Sequence, residues 1–238
     1  MPDHTLRFST VKAVIFDVDG TLYQQTPLRR AMAVRLVRAH LLHPVRGLRT
    51  ARALAGYRRA QEELRDVVAD SDLTEAQLSL AAQRSGVHRD HVASSVARWM
   101  EAGPLDLLVR FAQPGMVETL RELRDGGIRL AVLSDYPAAA KLLALGIADL
   151  FDVVLCAQQP EIGVFKPHPR GLHVALQRLG VEASEALYVG DRAEIDAVAA
   201  AAANVPCLIL AKSWRDDDGA EFLRTTSFRE MTQILEPT

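Results

Sequence analysis

Two aspartates one residue apart, Asp17 and Asp19, follow an apolar run at 11–16 within the sequence FDVDGTLY. Two carboxylates this close repel one another and lose hydration when enclosed, so a fold tends to keep them only where something offsets that cost. These residues alone leave three explanations open: a bound metal, a chemical reaction, or plain exposure to solvent. The apolar run in front of them favours a central strand and therefore an enclosed site.

Other polar side chains also follow apolar runs. Ser134 and Asp135 end the stretch IRLAVLSD, and Asp191 follows ALYVG. In an open parallel sheet, ligands bind beyond the carboxyl ends of the strands, where the strand order reverses. Lys166 lies in the stretch GVFKPHP between two of these strands. The sequence therefore predicts carboxylates, a hydroxyl and an ammonium group at one edge of a sheet.

Such a set of groups suits phosphoryl transfer. Carboxylates prefer a hard cation such as Mg²⁺, and that cation together with a lysine neutralises phosphate oxygens. One carboxylate can act as a nucleophile and form an aspartyl phosphate, while a second donates and later removes a proton. Gly20 permits a tight turn with amide groups facing the phosphate, and Ser134 can donate a hydrogen bond to it.

The elements that must position these residues fall into two zones. From about 27 to 100, apolar residues recur at helical spacing, which predicts a helical insert after the first strand. After Pro114, short apolar strands alternate with helices, which is typical of a parallel α/β sheet. The predicted strands are 11–16, 128–134, 153–156, 186–190 and 206–210. The tail after Ser213, with three aspartates at 216–218, is predicted to be a loop and a terminal helix.

Composition and charge set the broad class of protein. The chain has 238 residues, 49% of them hydrophobic, which is enough to bury a sizeable core. Because no run reaches about 18 apolar residues and MPDHTLRFSTVK lacks the layout of a secretion signal, we expect a cytoplasmic protein without a membrane span. A net charge of -2 argues against a nucleic-acid binder.

One segment departs from this mild overall charge. Residues 29–65 include ten arginines, no lysine, and only Glu62 and Glu63 as acids. Two interpretations remain open from the sequence: solvated faces of amphipathic helices, or a positive surface that attracts anionic ligands or an acidic partner.

The chain resembles the haloacid dehalogenase superfamily of hydrolases, most of which are phosphatases. The resemblance rests on four motifs in family order, which are DVDGT at 17–21, VLSD at 132–135, FKP at 165–167 and VGDRAEID at 189–196. It covers about 11–210, and the helical insert is similar to the family's helical cap. The implied fold is a Rossmann-like, three-layer α/β/α core with a central parallel sheet. The core would comprise 1–23 and 106–238, and the cap 24–105.

The resemblance also implies roles for the motif residues. Asp17 would be the nucleophile, and Asp19 would protonate the leaving alkoxide and then activate water, with Thr21 orienting Asp19. Mg²⁺ would be held by Asp17, the backbone carbonyl of Asp19 and the carboxylate of Asp191. Asp196 would support the lysine or a metal-bound water. Residues expected to bind the substrate phosphate are Gly20, Thr21, Ser134, Asp135 and Lys166. Asp135 stands where many relatives have asparagine, and its negative charge weakens the case for its direct contact with phosphate.

The function that these residues favour is Mg²⁺-dependent hydrolysis of a small phosphorylated metabolite through an aspartyl phosphate. Alternatives on the same fold are a phosphomutase, a haloacid dehalogenase, or an inactive binding or regulatory protein. A dehalogenase needs no proton for its leaving group, so Asp19 argues against it. Inactive relatives usually lose the nucleophile or the acid, and both are present here. The expected partner is a small phosphorylated substrate, with neither nucleic acid nor membrane, and the oligomeric state stays open.

Overall fold

The central strand of the molecule is β1, Ala13–Phe16, whose four residues are all buried. A computed structural model describes residues 11–65, 67, 72–211 and 222–235. Five further strands are β2 (Arg129–Ser134), β3 (Val153–Cys156), β4 (Ala186–Gly190), β5 (Cys207–Leu210) and β6 (Leu223–Thr225). All neighbouring strands pair in parallel, in the order β3-β2-β1-β4-β5-β6. The strand order reverses at β1, so the loop after β1 lies where parallel sheets bind ligands.

Helices pack on both faces of this sheet. Those within the sheet region are α5 (Met116–Asp125), α6 (Ala139–Leu145), α7 (Arg170–Leu179), α8 (Val198–Ala202) and α9 (Phe228–Leu235). Because strand side chains alternate between faces, Ile15 packs in one apolar cluster with α7 and α8, and Phe16 packs in another with α5 and α9. This is the three-layer α/β/α core that the sequence predicts.

A second helical group interrupts the chain between β1 and β2. It contains α1 (Gln25–Ala39), α2 (Pro44–Leu64), α3 (Leu73–Ser85) and α4 (Arg89–Val96), followed by a π-helical turn and a 3₁₀ helix, Leu105–Phe111. Tyr57 of α2 and Ala81 of α3 belong to its own small apolar cluster. Gly56 lets α2 and α3 approach closely, since a Cβ there would lie 2.9 Å from the Ala81 carbonyl oxygen.

The strand predictions agree with the structure to within two residues, and one strand was missed. β6 has only three residues and lies at the edge of the sheet, so its sequence has too few apolar positions to predict a strand. The terminal helix is confirmed as α9, whereas the aspartates at 216–218 and the N-terminal residues 1–10 lie outside the described residues. In the described ranges, every helix is too short or too polar to span a bilayer.

Candidate active site

Asp17 follows β1 directly and is 5% exposed. Its backbone amide donates to the Val189 carbonyl in β4 at 2.8 Å, which continues the sheet pairing by one residue. One carboxylate oxygen accepts a hydrogen bond from Lys166 Nζ at 2.6 Å, and the other accepts from Thr21 Oγ1 at 3.3 Å. The chain therefore presents a fixed carboxylate at the carboxyl edge of the central strand.

Lys166 connects this carboxylate to the neighbouring strand. Its Nζ also donates to Asp196 Oδ1 at 2.7 Å and to the Tyr188 hydroxyl at 2.9 Å. Burial lowers the pKa of Lys166, but the charges of Asp17 and Asp196 outweigh burial and hold that pKa well above its ordinary value. The lysine is thus a permanent cation beside the candidate nucleophile.

Three carboxylates, those of Asp17, Asp191 and Asp196, bring oxygens within 4.8 Å of one another. Burial raises the pKa of Asp191 to about 8, and the negative charges of Asp17 and Asp196 add to that effect. Burial also raises the pKa of Asp17 to about 6, although Lys166 partly opposes the shift. Asp196 differs, because Lys166 outweighs the effect of burial and its net pKa is lowered. Lys166 therefore compensates two of the three carboxylates and leaves Asp191 short of positive charge.

This arrangement fits a hard divalent cation. Among the described residues, none donates a hydrogen bond to the side chain of Asp191, although Asp191 is mostly buried. Gly20, at φ +117°, keeps the space beside it open, since a Cβ there would lie 2.0 Å from Asp191 Oδ2. Hard cations prefer oxygen ligands, and a carboxylate that accepts no hydrogen bond can offer its oxygens to such a cation. Asp196 instead accepts hydrogen bonds from the backbone amides of Asp191 and Arg192, which fixes the loop.

Asp19 lies in an environment that the sequence did not predict. Its Oδ1 accepts hydrogen bonds from the Tyr23 hydroxyl and from Lys141 Nζ, the latter at 2.5 Å. Burial raises the pKa of Asp19, but Lys141 and Tyr23 outweigh burial and the net pKa is lowered. Thr21, which was expected to orient Asp19, donates to Asp17 instead. Lys141 is on α6, and its approach to Asp19 depends on helix packing that no short motif encodes.

Ser134 and Asp135 lie at the end of β2, beside β1. Ser134 is fully buried, and its Oγ accepts a hydrogen bond from the Tyr136 amide at 3.3 Å. No described residue accepts a hydrogen bond from its hydroxyl, so that proton is available to a ligand. Asp135 accepts from Gln61 Nε2 at 2.7 Å, Arg65 Nη1 at 2.9 Å and the Lys166 amide at 3.3 Å. Its carboxylate therefore joins α2 to the core, which explains a charged residue at this position.

A cavity of about 600 Å³ lies between this sheet edge and the helical group. Asp17, Asp19, Lys166 and Asp191 all line it, and Ser134 ends the adjacent strand without being part of the lining. Four of the ten arginines at 29–65 also line this cavity from the side of the helical group. They are Arg29, Arg58, Arg59 and Arg65. The arginine-rich segment thus has solvated faces and also a positive side towards the site.

The fold and the site together define a class of protein, the α/β proteins in which an acidic site lies at the switch point of a parallel sheet beneath an inserted helical group. A family model described as haloacid dehalogenase-like hydrolase matches residues 11–204. The chain belongs to this family, as the motifs at 17–21, 132–135, 165–167 and 189–196 indicated.

Curated relatives of the chain include several enzymes named as phosphatases. It is 31% identical over 206 residues to a phosphoglycolate phosphatase of Yersinia pseudotuberculosis, covering 85% of this chain and 82% of the relative. It is 32% identical over 196 residues to a glyceraldehyde 3-phosphate phosphatase of Methanopyrus kandleri, covering 78% of each.

Solved structures support the same fold. A HAD phosphatase from Thermococcus onnurineus superposes with a TM-score of 0.64 at 23% identity, covering 95% of this chain and 99% of that one. An L-2-haloacid dehalogenase from Xanthobacter autotrophicus superposes with a TM-score of 0.67 at 20% identity, covering 94% and 98%. At these identities the likeness concerns the fold alone.

Proposed function

We propose that the protein is a Mg²⁺-dependent phosphatase that hydrolyses small phosphate monoesters through a phosphorylated Asp17. The main support for the proposal is that Asp17, Lys166 and Asp191 lie together at one sheet edge. Lys166 Nζ is 2.6 Å from Asp17 Oδ1. The names of the phosphatase relatives support the same reaction class. We further propose that 24–105 acts as a cap over a core formed by 1–23 and 106–238.

In the first step, a carboxylate oxygen of Asp17 attacks phosphorus. The new bond between this oxygen and phosphorus forms while the bond from phosphorus to the leaving oxygen breaks. Lys166 and the hydroxyl of Ser134 hold the transferring oxygens, since charge developing there is stabilised by fixed donors. The nearby lysine also keeps Asp17 available as a carboxylate, because it opposes the effect of burial on the pKa.

The leaving alkoxide needs a proton, and Asp19 is placed to deliver it. Lys141 Nζ donates a hydrogen bond to Asp19 Oδ1 at 2.5 Å, so we propose that a proton passes from this ammonium group through the Asp19 carboxylate to the leaving oxygen. In the second step Asp19, as a base, takes a proton from water while the water oxygen attacks phosphorus, and this proton returns to Lys141. The bond from phosphorus to Asp17 then breaks, and inorganic phosphate is released.

The cation would be held by Asp17, the backbone carbonyl of Asp19 and Asp191. Its positive charge would offset the repulsion between these carboxylates and the phosphate oxygens. Asp196 would keep Lys166 and the loop at 191–192 in position through the hydrogen bonds described above.

The test is release of inorganic phosphate from p-nitrophenyl phosphate, with Mg²⁺ and with a chelator. We expect turnover only with the metal, and a loss of at least about 10³-fold in the Asp17→Asn variant, which removes the nucleophile. Asp149→Asn, which changes an exposed carboxylate elsewhere, is the matched control and should retain full activity. Turnover by Asp17→Asn close to that of the parent would contradict the proposal.

A further inference from the structure

The charges that line the 600 Å³ cavity do not all cancel. Lys166 pairs with Asp17 and Asp196, Arg65 pairs with Glu62 and Asp135, and Arg192 pairs with Glu194. Of the cavity arginines, the side chains of Arg29, Arg58 and Arg59 form no ion pair or hydrogen bond with any described residue. Unpaired positive charge therefore lies on the helical group, while Asp191 is an unpaired carboxylate at the sheet edge.

Two of these arginines also border a second, smaller cavity. This pocket of about 100 Å³ opens beside Asp19, and its lining includes Arg29 and Arg58 but not Arg59. The two guanidinium groups are close enough that the charge of Arg29 lowers the pKa of Arg58, in addition to the larger effect of burial. Like charges held near one another, neither of them paired with a carboxylate of a described residue, favour an anion from outside.

The rest of the small pocket is mostly apolar. Leu28, Met32, Trp99 and Met100 contribute to its walls. Two acids and a lysine also border it: Asp19 pairs with Lys141, whereas Glu101 is exposed and forms no ion pair with a described residue. A pocket of this volume is smaller than a cavity of about 150 Å³ that holds benzene, so it suits a short aliphatic group.

We infer that Arg29 and Arg58 bind a second anionic group of the substrate, next to a short apolar segment. This inference rests on the proposed phosphatase function, because the phosphoryl group would lie at Asp17 and the leaving group beside Asp19. The substrate class is then a phosphate monoester of a short aliphatic alcohol, about three to five carbons long, that carries a carboxylate or a second phosphate. Guanidinium groups suit both anions, since they donate paired hydrogen bonds in a fixed plane.

Binding of two non-hydrolysable phosphonates tests the inference independently of turnover. The probes are 4-phosphonobutanoate and butylphosphonate, which have equal carbon number and differ in a terminal carboxylate. Titration calorimetry with Mg²⁺ should give a dissociation constant at least about tenfold lower for 4-phosphonobutanoate. Arg29→Ala and Arg58→Ala should each reduce this preference several-fold, with little effect on butylphosphonate.

The matched control is Arg30→Ala, an exposed arginine that follows Arg29 and lines neither cavity. It should retain the full preference for the carboxylate. Equal affinity of the parent for both phosphonates, or a preference unchanged in both variants, overturns the second-anion site and leaves the phosphatase proposal intact. Failure of both phosphonates to bind contradicts the site and the proposed function together, whereas hydrolysis of p-nitrophenyl phosphate reports on the function alone.

Discussion

Lys166 is the residue that organises the site, because its ammonium group contacts side chains from β4 and from the loop after β1. It is 5% exposed and bonds Asp17, Tyr188 and Asp196 together. Removing one partner of such a buried pair leaves an uncompensated charge, which is costly in a poorly hydrated site. The arrangement explains how closely spaced carboxylates coexist after a buried strand.

The contact between Lys141 and Asp19 gives a prediction at the scale of single residues. Lys141→Met should lower kcat for alkyl phosphates by about 10- to 100-fold, because an alkoxide leaves slowly without a proton. The decrease in kcat should be much smaller for an aryl phosphate, because its leaving group is stable as an anion. Steady-state rates on propyl phosphate and p-nitrophenyl phosphate measure the difference. Equal losses on the two esters would contradict a role for Lys141 in proton delivery.

Several site residues could be predicted from the sequence, and others could not. Asp17, Asp19, Lys166 and Asp191 follow apolar strands or lie in short motifs, so local pattern and chain order were sufficient to group them. Lys141 could not be found in this way, because its contact with Asp19 spans 122 positions and depends on how α6 packs. The same holds for Arg65, whose hydrogen-bond partner Asp135 is 70 positions away.

At the scale of elements, the end of α2 is tied to the core. Arg65 Nη1 donates to Asp135 at 2.9 Å and to the Lys166 carbonyl oxygen at 2.6 Å. Both acceptors belong to loops that carry site residues. The contact therefore links the position of the helical group to the position of Lys166.

Arg65→Ala should lower the free energy of unfolding by about 1–3 kcal/mol, since it removes the charged donor of the mostly buried Asp135 carboxylate and the side-chain donor of the Lys166 carbonyl. It should also raise KM for substrate, because α2 carries Arg58. Thermal unfolding and steady-state kinetics measure the two effects. Arg84→Ala removes an exposed pair with Glu63 and is the control, for which we expect little change in either quantity. If the two variants change the free energy of unfolding and KM by the same amounts, the contact between Arg65 and Asp135 neither stabilises the fold nor positions α2 for substrate binding.

The elements themselves were largely predictable. Buried parallel strands read as continuous apolar runs, so β1 to β5 were found close to their observed bounds. The ends of α3 also have local sequence signals, since Asp72 accepts a hydrogen bond from the Thr74 amide at its start and Gly86 ends it in the left-handed conformation. What the sequence could not supply was the placement of the helical group over the sheet edge, because that depends on long-range contacts such as those of Arg65.

At the scale of the whole molecule, the carboxylates make stability depend on pH and metal. In the metal-free protein the pKa of Asp191 is raised to about 8, so the folded state binds a proton that the unfolded state has released above about pH 4. This contribution to stability is present at low pH and is lost as the pH rises through about 8. A cation needs the deprotonated form, so its stabilising effect should grow over the same range.

Between pH 6 and pH 8, we expect the metal-free parent to lose about 2 kcal/mol of unfolding free energy relative to Asp191→Asn. Added Mg²⁺ should stabilise the parent more at pH 8 than at pH 6, and should have little effect on the variant. Denaturant unfolding at both pH values, with Mg²⁺ or with a chelator, measures these differences. Parallel pH profiles for parent and variant would show that Asp191 is not the titrating group.

The most direct test of the account is to trap the phosphorylated enzyme. Asp19→Asn, mixed with p-nitrophenyl phosphate and Mg²⁺, should accumulate an acyl phosphate because the second step lacks its base. Acid quenching, borohydride reduction and peptide mass spectrometry should then find homoserine at position 17, and only after exposure to substrate. Turnover with no reduction product at position 17, or with the product at another aspartate, would contradict the claim that Asp17 accepts the phosphoryl group.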